Sequence, residues 1–312
     1  MTVADVLYGH IIRSVNNYGE WDADAPVRAK WKTDGSPAYT KSLLNVQMKF
    51  DNSKEELDSI LTQKRVPQLD PINEMLWIWK FKSNCVRFLR EYLGCKVWNE
   101  WEREDGTIGK AYGWQLANKR RTIKIDDAFL DMYLNGEISN FIVVQRDDDN
   151  KITHVSLDQV DYLIYTLKTN PHSRRIKTTL WCVEDLDDMS LEPCVYETHW
   201  QLWGGKLHLT VNVRSNDLGL GNPYNLYQYS ILHRMIAQVT GHETGTICFN
   251  IDNAHVYDRH MDILLEQIES PIHEAPKVWI NPNIKSFYDF TIDDIKLIDY
   301  EHEKSRKMEI AI

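Results

Sequence analysis

The sequence predicts one folded domain that mixes helix with strand, on three observations. Its 312 residues are long for one domain and short for two large ones, and a core of that size buries roughly 75% of the unfolded chain's surface. Apolar residues alternate with period two on either side of Gly204-Gly205, the pattern of a β-hairpin. Elsewhere they recur at i, i+3, i+4 and i+7, the pattern of buried helix faces. Hydrophobic residues at 43% and charged residues at 26% are ordinary globular usage, which excludes disorder as the main state.

In chain order, Leu7, Ile11 and Val15 share one helix face. Residues 16–40 are polar and turn-rich. A strongly apolar helix is predicted from Asp70 to about Phe88–Leu93: Asp70 caps, Pro71 suits the first turn, and Ile72, Met75, Leu76 and Trp79 line one face. Residues 115–155 read as the least ordered stretch, with a basic run at Lys119-Arg120-Arg121, an acidic run at Asp147-Asp148-Asp149 and a short strand around Phe141–Val144. We read it as an excursion from the core. Val160 to Leu167 predicts a helix ended by Asn170-Pro171. After Pro193, residues Cys194, Tyr196, Thr198, Trp200 and Leu202 share one parity, and Leu207, Leu209, Val211 and Val213 answer them across the turn. The antiparallel pair sets Cys194 beside Arg214, a thiol near a guanidinium. Residues 217–225 read as a loop. Leu232, Met235, Ile236 and Val239 mark a helix closed by Gly241; a strand over Cys248–Tyr257 and a helix over 258–268 follow.

With 36 Lys and Arg against 46 Asp and Glu, the net charge is −10. That makes a poor nucleic-acid binder and leaves room for a local basic pocket holding a small anion. Five irregularly spaced cysteines with no CxxC indicate neither zinc nor a disulfide framework, and fit a reducing cytoplasm. No metal-ligand motif such as HExxH occurs. Gly219-Leu220-Gly221 lacks the third glycine of a dinucleotide loop. The N-terminus does not read as a signal peptide, and no apolar run of about 18 residues suggests a membrane span. Eleven Trp and 15 Tyr supply flat surfaces that fill cores and also stack on heterocycles.

Taken one by one, several residues have two readings. Cys194 is a nucleophile or a small core residue. Arg174-Arg175 is an anion clamp or a solvated surface pair. Asn225 is a base-reading amide or a helix cap. Glu74 is a desolvated acid/base or an exposed first-turn glutamate favoured by the helix dipole. His255, which shares a strand face with Tyr257, is a ligand-binding group or a satisfied strand histidine. Trp98 and Trp101 are a ligand wall or core.

The order of motifs decides between them. Asn73-Glu74-Met75-Leu76-Trp77, Val97-Trp98-Asn99-Glu100-Trp101, Ala111-Tyr112-Gly113, Asn170-Pro171-His172-Ser173-Arg174-Arg175, Pro193-Cys194, Arg214-Ser215-Asn216-Asp217, Asn222-Pro223-Tyr224-Asn225, Ala254-His255-Val256-Tyr257 and the tail Met308–Ile312 run nearly end to end. In this arrangement the chain resembles the thymidylate synthase family, and its Bacillus and phage branch in particular, over most of its length except about residues 115–150. The resemblance implies an α+β fold: a single domain, 1–312, around a large bent mixed sheet flanked by helices. It implies a homodimer joined sheet to sheet.

It also implies a methyltransferase that converts dUMP to dTMP with 5,10-methylenetetrahydrofolate as cosubstrate, releasing dihydrofolate and using no metal. By the same resemblance Cys194 attacks C6 of uracil, aided by Arg214; Glu74 and Tyr112 move protons. Arg214 and Ser215 bind the nucleotide, joined by Arg174 and Arg175 from the partner subunit. Asn225 reads the base, and His255 and Tyr257 hold the ribose. Asp217, Gly221, Trp98 and Trp101 line the folate side, and Ile312 closes as a lid. A further family arginine in an N-terminal loop has no clean match; Arg28 and Lys32 are the candidates near Gly35. Two departures stand out: Val195 follows the cysteine, and Asp252-Asn253 precedes the Ala-His segment. The competing enzyme reading is a dUMP hydroxymethylase, in which water replaces hydride at the last step. A binding or regulatory module acting on RNA is the third reading, disfavoured by the acidic charge.

Overall fold

The computed structural model describes residues 2–312. Helix α1 (Val3–Tyr18) buries Ile11, Ile12 and Val15, and Thr2 caps it by accepting from the Asp5 N–H. Strands β1 (Glu20–Trp21) and β2 (Thr40–Asp51) flank the turn-rich segment. Helix α2 (Asp70–Met75) runs into a π-helical turn at Leu76–Lys80, and a separate helix α3 (Val86–Glu91) follows. The long helix expected over 70–93 is therefore broken. The cause is a close approach: at Gly113 an added Cβ would meet the Ser83 carbonyl oxygen at 2.3 Å, and Lys82 turns the chain there at φ 48°.

The excursion is ordered, against expectation. After α4 (Gly113–Asn118), strands β3 (Arg121–Lys124), β4 (Phe141–Arg146) and β5 (Ile152–Leu157) form an antiparallel sheet in the order β3-β5-β4, and α5 (Asp127–Leu134) lies between β3 and β4 in the chain. Phe129, Val155 and Leu157 are buried in the common hydrophobic cluster. The charge runs that suggested looseness are used locally. Arg120 donates to the carbonyls of Ala117, Asn140 and Ser156, and Asp147 accepts from the Asp149 and Lys151 N–H groups to make the β4–β5 turn.

The remainder follows the sequence more closely. Helix α6 (Gln159–Thr169) ends at Asn170, then come β6 (Lys177–Thr179), β7 (Val195–Trp203) and β8 (Lys206–Val213). Gly204 and Gly205 close the hairpin with φ of 58° and 78°, as a primed two-residue turn requires. A bulge between Val195 and Glu197 breaks the expected parity, so Val195 is buried while Tyr196 is half-buried. Strand β9 (Asn216–Asp217), helix α7 (Gly221–Thr240), strand β10 (Glu243–Tyr257), a 3₁₀ turn at Asp258–His260 and helix α8 (Met261–Gln267) complete the site region. Strands β11 (Lys277–Ile280) and β12 (Ile295–Ile298) pair separately. Helix α7 starts four residues before Asn225, because Pro223 fits a first turn. Asn225 is thus inside the helix, and its reading as a cap falls.

The main sheet runs β1-β2-β10-β8-β7-β6, with β9 also on β10. It is mixed: β10 is parallel to β8 and β9 and antiparallel to β2. One face, with Leu207, Leu209, Val211, Val213, Ile247, Phe249 and Ile251, packs under α7, which is buried along most of its length. The other face is half-open and polar. There Asn212 donates to Glu197, Asn250 to Asn212 and Gln47 to Asn250, an amide ladder across four strands. Among the described residues no helix is long and apolar enough to cross a membrane.

Candidate active site

The hairpin and the strands beside it bring most of the candidate residues together. The Arg214 N–H donates to the Cys194 carbonyl at 2.9 Å, as the hairpin pattern predicts. The Arg214 guanidinium donates to the carbonyls of Pro193 (3.0 Å) and Glu192 (2.7 Å) and lies over the Trp181 ring. Two β10 residues, His255 and Tyr257, face the same space. Arg214, Ser215, His255 and Tyr257 line an open cleft of about 470 Å³ together with Asp22, Arg28, Thr40 and Asn253. Of the two N-terminal candidates, Arg28 is the one in the cleft; Lys32 is spent on Glu100, 2.6 Å away.

Cys194 is half-buried. Burial pushes the Cys194 thiol above its ordinary value; the Arg214 charge and the Tyr112 hydroxyl pull it down, Asp217 pushes it up, and Arg28 pulls it down. Arg214 thus acts in the expected direction without outweighing desolvation. The Tyr112 hydroxyl accepts from the Cys194 backbone N–H at 3.1 Å. Tyr112 itself sits at φ 48° and ψ −107°, a costly conformation for a bulky residue. The Ser83–Gly113 contact next door holds it there.

Glu74 is reached through two aromatic rings. Tyr112 meets Trp98 edge-on at 5.0 Å, and Trp98 meets Trp101 at 5.6 Å. The Trp98 indole N–H donates to one Glu74 carboxylate oxygen at 2.6 Å, and Gln228 Nε2 donates to the other at 2.9 Å. Burial raises the Glu74 carboxyl, against the lowering effect of those two donors, and Asp70 adds to the rise. This favours the desolvated acid/base over the exposed first-turn residue.

Between β9 and α7, Asn225 Oδ1 accepts from Asn216 at 3.0 Å, and Asn216 Oδ1 accepts from Asn222 at 2.7 Å. Asp217 pairs in register with His255 and accepts from the Gly219 N–H at 2.7 Å. His255 is buried, which lowers its pKa and keeps the ring neutral, and it bonds Asn253 at 3.0 Å. Gly221 opens α7 beside Asn216 and Asp217. The tail is docked: Ile312 and Lys30 exchange two backbone bonds, at 2.8 and 2.9 Å. Arg174 and Arg175 stay apart. They are exposed between α6 and β6, and among the described residues neither guanidinium has a hydrogen-bonding or ionic partner. The sequence marks Asn216 and Asn222 only as members of the Arg214–Asp217 and Asn222–Asn225 motifs, and no sequence signal marks Gln228.

A half-buried cysteine beside Arg214, a desolvated glutamate and an aromatic wall are the groups that an enzyme attacking an anionic, planar substrate covalently would use. The family model for thymidylate synthase matches residues 7–312, and the chain belongs to that family of methyltransferases. It is 49% identical over 312 residues, all of both chains, to a thymidylate synthase of Bacillus subtilis subsp. natto. It is 48% identical to the enzyme of Bacillus phage phi3T over the same full length. The solved structure of thermostable thymidylate synthase A from Bacillus subtilis superposes with a TM-score of 0.82 at 47% identity, covering 99% of each chain.

Proposed function

We propose that the cleft methylates dUMP reductively with 5,10-methylenetetrahydrofolate to give dTMP and dihydrofolate, in one domain spanning 1–312. The observation that carries this reading is the run of contacts from Glu74 through Trp98, Tyr112 and Cys194 to Arg214, which lines the cleft with His255 and Tyr257 of β10.

Arg28 and Arg214 offer guanidinium forks to the dianionic phosphate. His255 and Tyr257 face the ribose. Asn225 has its oxygen held by Asn216, which leaves its amide donor for uracil O4. The Cys194 thiolate forms the S–C6 bond, and the C5=C6 electron pair moves toward O4, making C5 the nucleophile. Glu74 relays a proton on the O4 side. C5 takes the one-carbon unit that the folate supplies, and Tyr112, near the reacting carbon, assists loss of the C5 proton. The bond between the one-carbon unit and the folate nitrogen then breaks, and hydride from the tetrahydrofolate so released completes the methyl group as the S–C6 bond to Cys194 breaks, leaving dihydrofolate. Trp98 and Trp101, with the docked tail, shield the methylene from water. Asp217 and Gly221 bound the pterin side.

We further propose a homodimer through the open polar sheet face. A central sheet face with an amide ladder and no covering layer suits an isologous partner. Arg174 and Arg175, without partners of their own, would then reach the partner subunit's cleft. Five free cysteines suit a reducing cytoplasm. The hydroxymethylase reading draws no support from the relatives described above. Incubation with dUMP and methylenetetrahydrofolate, followed by mass spectrometry of the nucleotide, tests the function. We expect dTMP with a matching rise in dihydrofolate absorbance; 5-hydroxymethyl-dUMP without that rise overturns it.

A further inference from the structure

The three residues after Tyr257 form a hub. The Arg259 guanidinium donates through Nη2 to Asp34 Oδ2 (2.6 Å) and Ser36 Oγ (2.9 Å). Through Nη1 it donates to Glu309 Oε2 (3.0 Å) and Thr33 Oγ1 (3.2 Å). It also stacks over the Trp31 ring at 4.8 Å. On one side of it, Asp258 accepts from the Trp31 indole N–H at 3.1 Å. On the other, His260 Nε2 bonds the Glu309 carbonyl at 2.8 Å, and its ring packs edge-on against Trp31 at 5.3 Å.

These contacts join three segments that lie far apart in the sequence. Strand β10 carries His255 and Tyr257. The loop 28–36 carries Arg28. The tail carries Glu309 and ends at Ile312. Apart from this hub the tail holds the loop through the Lys30–Ile312 pair, one bridge between Trp31 and Ala311, and two bonds from Thr33 to Glu309 Oε1, the N–H at 2.9 Å and the hydroxyl at 2.5 Å. Met308 rests over Gly219, where an added Cβ would lie 3.3 Å from its sulfur.

We propose that Arg259 is a positioning residue that latches the C-terminal tail and the Arg28 loop to the end of β10, so that both close on the cleft together. The inference rests on the reading of that cleft as the nucleotide and folate site. Arginine suits the role because its planar fork serves two carboxylates on separate segments at once, which a lysine point charge cannot do. Single exposed ion pairs contribute little. Here one side chain holds four acceptors and a ring, and the effect falls on an irregular terminal segment, where fraying concentrates.

Two readouts on the full-length protein test it. The first is the rate at which carboxypeptidase removes Ile312 with no substrate present, which reports the population of undocked tail. Arg259→Ala and Glu309→Gln should each speed trimming about tenfold or more, and the double variant should be no faster than the quicker single one. Arg259→Lys should fall between. The second is dTMP formation, where both variants should raise KM for dUMP and for methylenetetrahydrofolate. Wild-type trimming rates in both variants overturn the latch, and faster trimming with unchanged KM values overturns its positioning role. A wild-type protein that makes no dTMP overturns the functional reading instead, and trimming then still decides the latch.

Discussion

Cys194 works in an environment that opposes its ionisation. Its thiol is held up by burial and drawn down chiefly by Arg214. Peptide-resolved alkylation of the free protein should therefore give Cys194 a midpoint above the ordinary thiol value of about 8.5, and Arg214→Gln should move it higher still. A midpoint below that of a free thiol contradicts the assignment. Glu74 allows a sharper test through Gln228. Its amide stabilises the ionised carboxylate, so Gln228→Leu should raise the Glu74 pKa further. Hydrogen bonds to charged groups contribute about 1.5–3 kcal/mol, which corresponds to roughly one to two pH units. The ascending limb of the kcat profile should shift to higher pH by that amount; an unmoved limb means Glu74 does not govern it. The Cys194–Arg214 pair was legible in the sequence because period-two alternation and a Gly-Gly turn fix which hairpin ends meet. The Gln228–Glu74 bond was not, because it spans 154 positions and no local pattern marks a donor's distant acceptor. Arg28 was narrowed to two candidates by sequence; the Lys32–Glu100 pair separates them.

Among the elements, legibility followed the strength of periodicity. The hairpin, α1, α6 and the end of α7 at Gly241 match their patterns. The break between α2 and α3 does not show in the sequence, because apolar spacing continues through it. What breaks the helix is the backbone of Ser83 pressed against Gly113, a contact between segments. Gly113→Ala should therefore destabilise the fold and disturb Tyr112, whereas Gly136→Ala, at φ 71° with no atom within 4 Å, costs only the left-handed penalty of about 1–2 kcal/mol. Thermal melting and dTMP formation check this: the Gly113 variant should melt well below the Gly136 variant and lose most activity. Equal melting temperatures would contradict the steric account. The excursion was misjudged because its charges resemble those of a solvated loop, and because β4 leaves Ile142 and Val144 more than half exposed. Its order comes from Arg120 bonds to three carbonyls and from packing on the common core.

At the scale of the whole molecule, the chain has one sheet face under α7 and one face open. The sequence carries the first in its buried alternation and carries the second only weakly, since the open face is polar and half-buried. The proposed shared site rests on that open face together with the isolated Arg174 and Arg175. Mixing Cys194→Ser chains with Arg174→Ala chains should restore part of the activity that each lacks alone, because one cleft of the mixed dimer then holds both intact groups. Failure after verified subunit exchange would leave Arg174 and Arg175 without a role in the cleft.

The central claim is that Cys194 bonds to the uracil ring in a cleft closed by folate and tail. It is tested most directly by incubating the protein with 5-fluoro-dUMP and methylenetetrahydrofolate and mapping the adduct by peptide mass spectrometry. Fluorine at C5 replaces the proton that must leave, so the covalent intermediate should accumulate. The account predicts a stable adduct on Cys194 that needs the folate and is absent from Cys194→Ser. An adduct on Cys85, Cys95, Cys182 or Cys248, or none at all, would contradict it.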